Sequence, residues 1–128
     1  MKILGIGVDV VESKRIRNLI YKKTFLNRTY GPRELKLASK RRKNISYYAN
    51  RFAAKESFAK SIGTGFRNNL NFKDIEILND KIGKPYYLKS KKIEQIILKK
   101  FKTKKFNLFL SISDEKDYSV AFTIIQKI

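Results

Sequence analysis

From Ile3 to Val11 apolar positions alternate with small or acidic ones. Leu4, Ile6, Val8 and Val10 fall on one face of a strand, and Gly5, Gly7 and Asp9 on the other. The pattern predicts an internal strand, and the two glycines beside Asp9 leave room for a ligand or another backbone to come close. Ser13 is placed to cap a short basic helix containing Lys14, Arg15, Arg17, Leu19 and Ile20. Gly31-Pro32 breaks the chain, and Pro32 suits the first turn of a helix running through Leu35 and Leu37. The longest helical period links Tyr47, Arg51, Ala54, Phe58 and Ile62, with Ser46 as the expected N-cap and Gly63 as the stop. On another face of that helix Ala49, Ala53, Glu56, Lys60 and Gly63 recur at spacings of three or four, as the wall of a cleft would.

Ile75 and Ile77, then Tyr86, Tyr87 and Leu88, flank Asn79-Asp80-Lys81-Ile82-Gly83, whose turn formers predict a hairpin. A Lys-rich helix is expected from about Lys91 to Lys100, with Ile93, Ile96 and Ile97 inward. Phe106, Leu108, Leu110 and Ile112 alternate, a turn follows over Asp114 to Asp117, and Tyr118, Val120, Phe122 and Ile124 alternate back as a second hairpin. With no repeat, heptad run or low-complexity linker, strands and helices share one core. The expectation is a single α+β domain over residues 1–128, a small antiparallel sheet packed with helices.

Composition narrows the chemistry. The chain has no Cys and no His, so thiolate and imidazole ligands are excluded and any metal must sit on oxygen, which favours magnesium or manganese. The opening MKILGIGVDVVE lacks the pattern of a signal peptide, and no apolar run approaches the roughly 20 residues of a membrane span. A soluble cytoplasmic protein with no membrane partner is expected. The net charge of +19 implies attraction to polyanions of some kind. About 12 Lys or Arg stand against one acid, Glu34, between Ser13 and Lys43, which makes this stretch the expected docking face for an acidic partner.

With 11 acids in all, the choice of a chemically special carboxylate is narrow. Asp9 interrupts an apolar strand, where an unpaired charge is expensive, so it is either a strand-end cap for the next helix or bound to a cation. Glu56 is either an ordinary helix-surface partner of Lys60 or the second carboxylate of a site. Lys60 with Gly63-Thr64-Gly65 offers an ammonium and free backbone N–H groups to phosphate, although glycine after a helix is commonly only its cap. The spacing is not that of a P-loop.

The run Gly5-Ile6-Gly7-Val8-Asp9-Val10-Val11-Glu12-Ser13-Lys14-Arg15-Ile16 resembles the G-I-D-I-V-E…R-I opening of the holo-acyl-carrier-protein synthase family. Arg51 to Gly65, R-F-A-A-K-E-S-F-A-K-S-I-G-T-G, is similar to the second motif of that family. Similarity continues through Phe72 to Ile77, the Gly83-Lys84-Pro85 turn, Ser111 to Ser113 and Asp117 to Ala121. One position departs from the pattern: where the family usually has His after the S-[LI]-[ST] element, this chain has Asp114, and an acid there works against phosphate binding.

The resemblance implies a phosphopantetheinyl transferase that moves 4'-phosphopantetheine from coenzyme A to a serine of apo acyl-carrier protein. The reaction is magnesium-dependent, releases adenosine 3',5'-bisphosphate and supplies fatty-acid synthesis. On matching positions Asp9 and Glu56 are the magnesium ligands, Lys60, Gly63, Thr64 and Gly65 adjoin the coenzyme A phosphates, and Arg42 is a further phosphate candidate. Arg15, Arg17 and Lys22, with Lys23, become candidates for carrier docking. Lacking His, the chain leaves the serine proton to a metal-activated water or to Glu56 itself. A homotrimer is implied, with active sites between subunits and Asp9 and Glu56 contributed across an interface. The rival reading, a nucleic-acid-binding module using the same charge with seven Tyr and nine Phe, has no RNA-binding or helix-turn-helix motif behind it.

Overall fold

The computed structural model describes residues 1–40, 44–63 and 70–128. In chain order the elements are β1 (Lys2–Glu12), α1 (Ser13–Leu19), α2 (Lys23–Thr29), α3 (Pro32–Lys40) and α4 (Ile45–Ile62). A 3-10 turn (Phe72–Asp74), β2 (Ile77–Asn79), β3 (Pro85–Tyr87), α5 (Lys91–Phe101), β4 (Phe106–Asp114) and β5 (Tyr118–Lys127) follow. The architecture is the expected α+β arrangement. β1, β5 and β4 form an antiparallel three-stranded sheet with β5 central, β2 and β3 pair as a separate hairpin, and both predicted hairpins are present.

α4 lies across β1 and β5 and is buried on nearly every side, from Tyr47 through Ile62, with Glu56 and Lys60 the exceptions in its C-terminal half. Ala49 and Ala53 are fully buried rather than part of a cleft wall, because the small-residue face of α4 is the one pressed onto the sheet. The helix starts two positions earlier than expected. Asn44, not Ser46, is its N-cap, and the Asn44 carboxamide oxygen accepts from the N–H groups of Ser46 and Tyr47. Gly63 ends it at φ +86°, the left-handed conformation that glycine adopts without a Cβ penalty. Ser13 is the first residue of α1 rather than its cap: Glu12 holds the cap position with no side-chain bond. α2 was not foreseen, since Lys23–Thr29 is too short to show a helical period.

β1 is turned inside out relative to the usual arrangement. Ile6, Val8 and Val10 are 60%, 49% and 59% exposed, while Gly7 is buried and Gly5 and Asp9 face the helix layer. A register shift between Ile3 and Gly5 reverses the alternation, so that Leu4 packs on the core instead of sharing the outer face with Ile6. Across the sheet Val8 pairs with Phe122 and Ile6 with Ile124, which in turn pairs with Phe109, so the outer face is a continuous apolar surface.

Inside, a trio of hydroxyls joins three elements. Ser57 Oγ and Thr123 Oγ1 are 2.5 Å apart, and Tyr87 OH lies 2.6 Å from Thr123 Oγ1 while donating to the Ala54 carbonyl at 2.7 Å. Burial pushes the Tyr87 phenol up. Tyr87→Phe is expected to cost about 1 kcal/mol, the net contribution of one buried hydrogen bond, since the Ala54 carbonyl keeps its bond from Ser57 Oγ at 3.0 Å, and urea denaturation measures it. A loss below the scatter of that method would mean the trio re-forms without the phenol.

Candidate active site

The glycines of β1 decide where the site lies. A Cβ on Gly5 would stand 2.0 Å from the Ser61 carbonyl oxygen, and one on Gly7 would stand 1.9 Å from that of Ser57. The strand backbone therefore rests directly on the backbone of α4, with no side chain between them. Of the two occupants the sequence left open for this space, it is another backbone. This contact carries Asp9, two residues beyond Gly7, to the turn of α4 that bears Glu56 and Lys60.

Lys60 Nζ donates to Asp9 Oδ1 at 3.1 Å, with the lysine side chain 55% exposed and the aspartate 15%. Glu56 is half-buried. Desolvation raises its carboxyl above the usual range, the negative charge of Asp9 raises it further, and Arg15 and Lys60 act in the opposite sense. Two carboxylates on different elements are thus held close enough to repel each other. The β1–α4 seam brings Asp9 and Glu56 together within one chain. Among the described residues no cluster of three or more His, Cys, Asp or Glu side chains exists, and the carboxylates at this seam are those of Asp9 and Glu56. That donor set fits a small hard cation such as magnesium, which retains water and takes substrate phosphate oxygens in the rest of its sphere.

Beside Glu56 opens a cleft of about 750 Å³. Its floor is aromatic: Phe52 stacks on Phe72 with ring centres 5.3 Å apart and on Phe25 at 6.3 Å. Its rim is cationic, with Arg15, Arg28 and Lys73, and the Arg15 guanidinium lies 5.4 Å over the Phe52 ring. Arg15 of the predicted docking set thus lines the cleft. Arg17 lies exposed in the last turn of α1, and Lys22 and Lys23 lie exposed at the start of α2. Thr64, Gly65 and Arg42 are outside the described residues. Asp114 ends β4, where Asn50 of α4 donates to its Oδ2 at 2.8 Å and in turn accepts from Ser119 Oγ at 2.6 Å. The acid at the departing position is therefore anchored to the same helix that carries Glu56.

Missing from the sequence reading was the charge network behind the site. Lys55 and Glu34 are both fully buried and joined at 2.6 Å. The signals were a lone acid in a basic stretch and a lysine amid apolar positions of α4.

Comparison with known proteins agrees with this geometry. The family model of the 4'-phosphopantetheinyl transferase superfamily matches residues 5–123. A holo-[acyl-carrier-protein] synthase of Pelagibacter ubique is 56% identical, with 99% of each chain covered. The crystal structure of holo-[acyl-carrier-protein] synthase from Neisseria meningitidis superposes with a TM-score of 0.87 at 37% identity, covering 98% of this chain and 100% of that one. That from Bacillus anthracis, in complex with CoA (3',5'-ADP), gives 0.80 at 32% identity with 98% of each chain covered. With matching motifs, matching fold and full-length similarity, the chain belongs to the 4'-phosphopantetheinyl transferase superfamily.

Proposed function

We propose that this chain is a holo-acyl-carrier-protein synthase that transfers 4'-phosphopantetheine from coenzyme A to a serine of apo acyl-carrier protein. The observation that carries the reading is the juxtaposition of Asp9, Glu56 and Lys60 on the β1–α4 seam, opening into a cleft with an aromatic floor and a cationic rim. In the reaction the serine Oγ forms a bond to the phosphorus bearing pantetheine, the P–O bond to the nucleotide breaks, and adenosine 3',5'-bisphosphate leaves.

Asp9 and Glu56 would hold magnesium, which when bound supplies charge neutralisation for the diphosphate. Lys60, already held at Asp9, adds an ammonium to the same spot and faces the phosphates of coenzyme A. Arg15, oriented by the Phe52 ring, places a cation at the mouth of the cleft where an acidic carrier arrives, and Arg17, Lys22 and Lys23 extend that face. Lacking imidazole, the chain leaves the serine proton to a water hydrogen-bonded to Glu56. Position and charge supply the catalysis and no covalent enzyme intermediate is required. Gly63, Thr64, Gly65 and Arg42 are assigned to coenzyme A phosphates on the motif match alone. No described helix is long and apolar enough to cross a membrane, and we assign the protein to the cytoplasm.

Mass spectrometry of apo acyl-carrier protein incubated with the chain, magnesium and coenzyme A tests the reading. One added phosphopantetheine group is the expected result. An unchanged carrier mass, with folded protein and a cognate carrier, would sink it.

The outer face of the sheet supports a homotrimer. Ile6, Val8, Val10, Phe109 and Phe122 form an exposed apolar surface, the character of a subunit interface. Wild-type protein is expected to sediment as three copies, and Val8→Lys as a single chain that remains folded. A monomeric wild type would refute the assembly while leaving the seam within each chain untouched.

A further inference from the structure

Next in sequence to Glu56, and pointing into the protein, Lys55 is fully buried. Its Nζ donates to Glu34 Oε1 at 2.6 Å, to the Phe72 carbonyl at 3.0 Å and to the Ile75 carbonyl. Glu34 is as fully buried, and accepts in addition from the N–H groups of Gly31 at 3.0 Å and Ile77 at 3.1 Å. Glu76 closes the circle by accepting from the backbone N–H groups of Arg33 at 2.9 Å and Glu34 at 3.2 Å and from the Arg33 guanidinium at 2.9 Å. Three segments are tied through these charges: the start of α3, the stretch from Phe72 to Ile77, and α4.

Cohesion alone does not call for such a pair, because apolar residues of similar volume join buried elements as well or better. What an ammonium does and an alkyl group cannot is hold two carbonyls of the Phe72–Ile75 stretch at a fixed distance from the helix. That stretch matters to the site, since Phe72 and Lys73 line the same cleft as Glu56, and Phe72 stacks on Phe52. We propose that Lys55, oriented by Glu34, is a positioning residue for the acceptor side of the reaction, setting the distance between Glu56 and the Phe72–Lys73 wall and so the fit of the carrier's serine-bearing segment. The inference rests on the transferase reading above.

Lys55→Met alone leaves the buried Glu34 carboxylate only the Arg51 guanidinium, 4.0 Å away, as a cationic partner, so the kinetic test uses Lys55→Met combined with Glu34→Gln, which removes both charges of the pair. The KM for apo carrier is expected to rise about tenfold while kcat and the KM for coenzyme A stay within about twofold, the split expected when only acceptor fit is lost. A general structural defect would instead lower kcat or both KM values together, and that result overturns the proposal. So does an unchanged carrier KM. Hydrogen exchange on the wild-type chain gives a test that depends neither on the variant folding nor on turnover. The Ile77 amide is expected to exchange as slowly as the core amides of α4, and faster exchange, by about tenfold or more, would show that the wall opens locally and is not clamped. Failure of the wild type to modify any carrier would remove the transferase reading, and the exchange result then decides the clamp alone.

Discussion

Glu56→Gln is expected to leave a folded protein that has lost transfer activity by well over about a hundredfold, since even outer partners of a metal ligand cost 10–100-fold when removed. Glutamine keeps the shape of the side chain and one acceptor oxygen but surrenders the charge. Half-buried beside Asp9, that charge is held at a cost when no cation is bound, because burial and the neighbouring carboxylate both disfavour it. Its removal therefore should not lower the Tm in metal-free buffer. What disappears is the response to ligand: magnesium with coenzyme A raises the Tm of the wild type by binding the native state and leaves that of the variant unmoved. Activity equal to the wild type in a folded variant would rule out Glu56 as an essential ligand.

Gly7→Ala carries the largest expected effect on stability. The added methyl would lie 1.9 Å from the Ser57 carbonyl oxygen, 2.8 Å from the Ser61 nitrogen and 3.0 Å from the Ser57 carbonyl carbon, all atoms of the helix backbone. Nothing there yields by changing a rotamer, so strand and helix must separate as units. Overpacking typically costs 1–3 kcal/mol and occasionally more, and here we expect about 3 kcal/mol or above, read as a lowered urea midpoint. The same displacement moves Asp9 away from Glu56, so transfer should fall even under conditions where the variant remains folded. A variant as stable and active as the wild type would show that β1 and α4 are not in backbone contact.

How much of this was legible beforehand depended on whether a pattern had a local cause. The alternation from Ile3 to Val11 announced a strand, and the turn formers from Asn79 to Gly83 and from Asp114 to Asp117 announced hairpins, because period and turn chemistry are properties of neighbouring residues. Which side of β1 faces inward was not readable in the same way. Apolar alternation ordinarily marks the core side, whereas here the glycine side meets α4 and the aliphatic side looks outward, a consequence of long-range packing. The site followed the same division. Asp9, Glu56 and Lys60 were recoverable from the motifs, but Asp9 and Lys60 stand 51 residues apart in sequence and meet because Gly5 and Gly7 let β1 rest on α4, which no periodicity reports. Lys55 and Glu34 were readable only as ordinary charges, since burial of an ion pair is set by what folds around it. The cap at Asn44 was missed in favour of Ser46 because both residue types cap helices and only the backbone turn selects between them.

The outward row of Ile6, Val8 and Val10 has a last consequence on the trimer reading. A chain that places glycine against its own helix and aliphatics against its neighbours keeps part of its folding free energy outside itself. For such a protein dilution acts as urea does, and its melting point becomes a reading of how much of it is present.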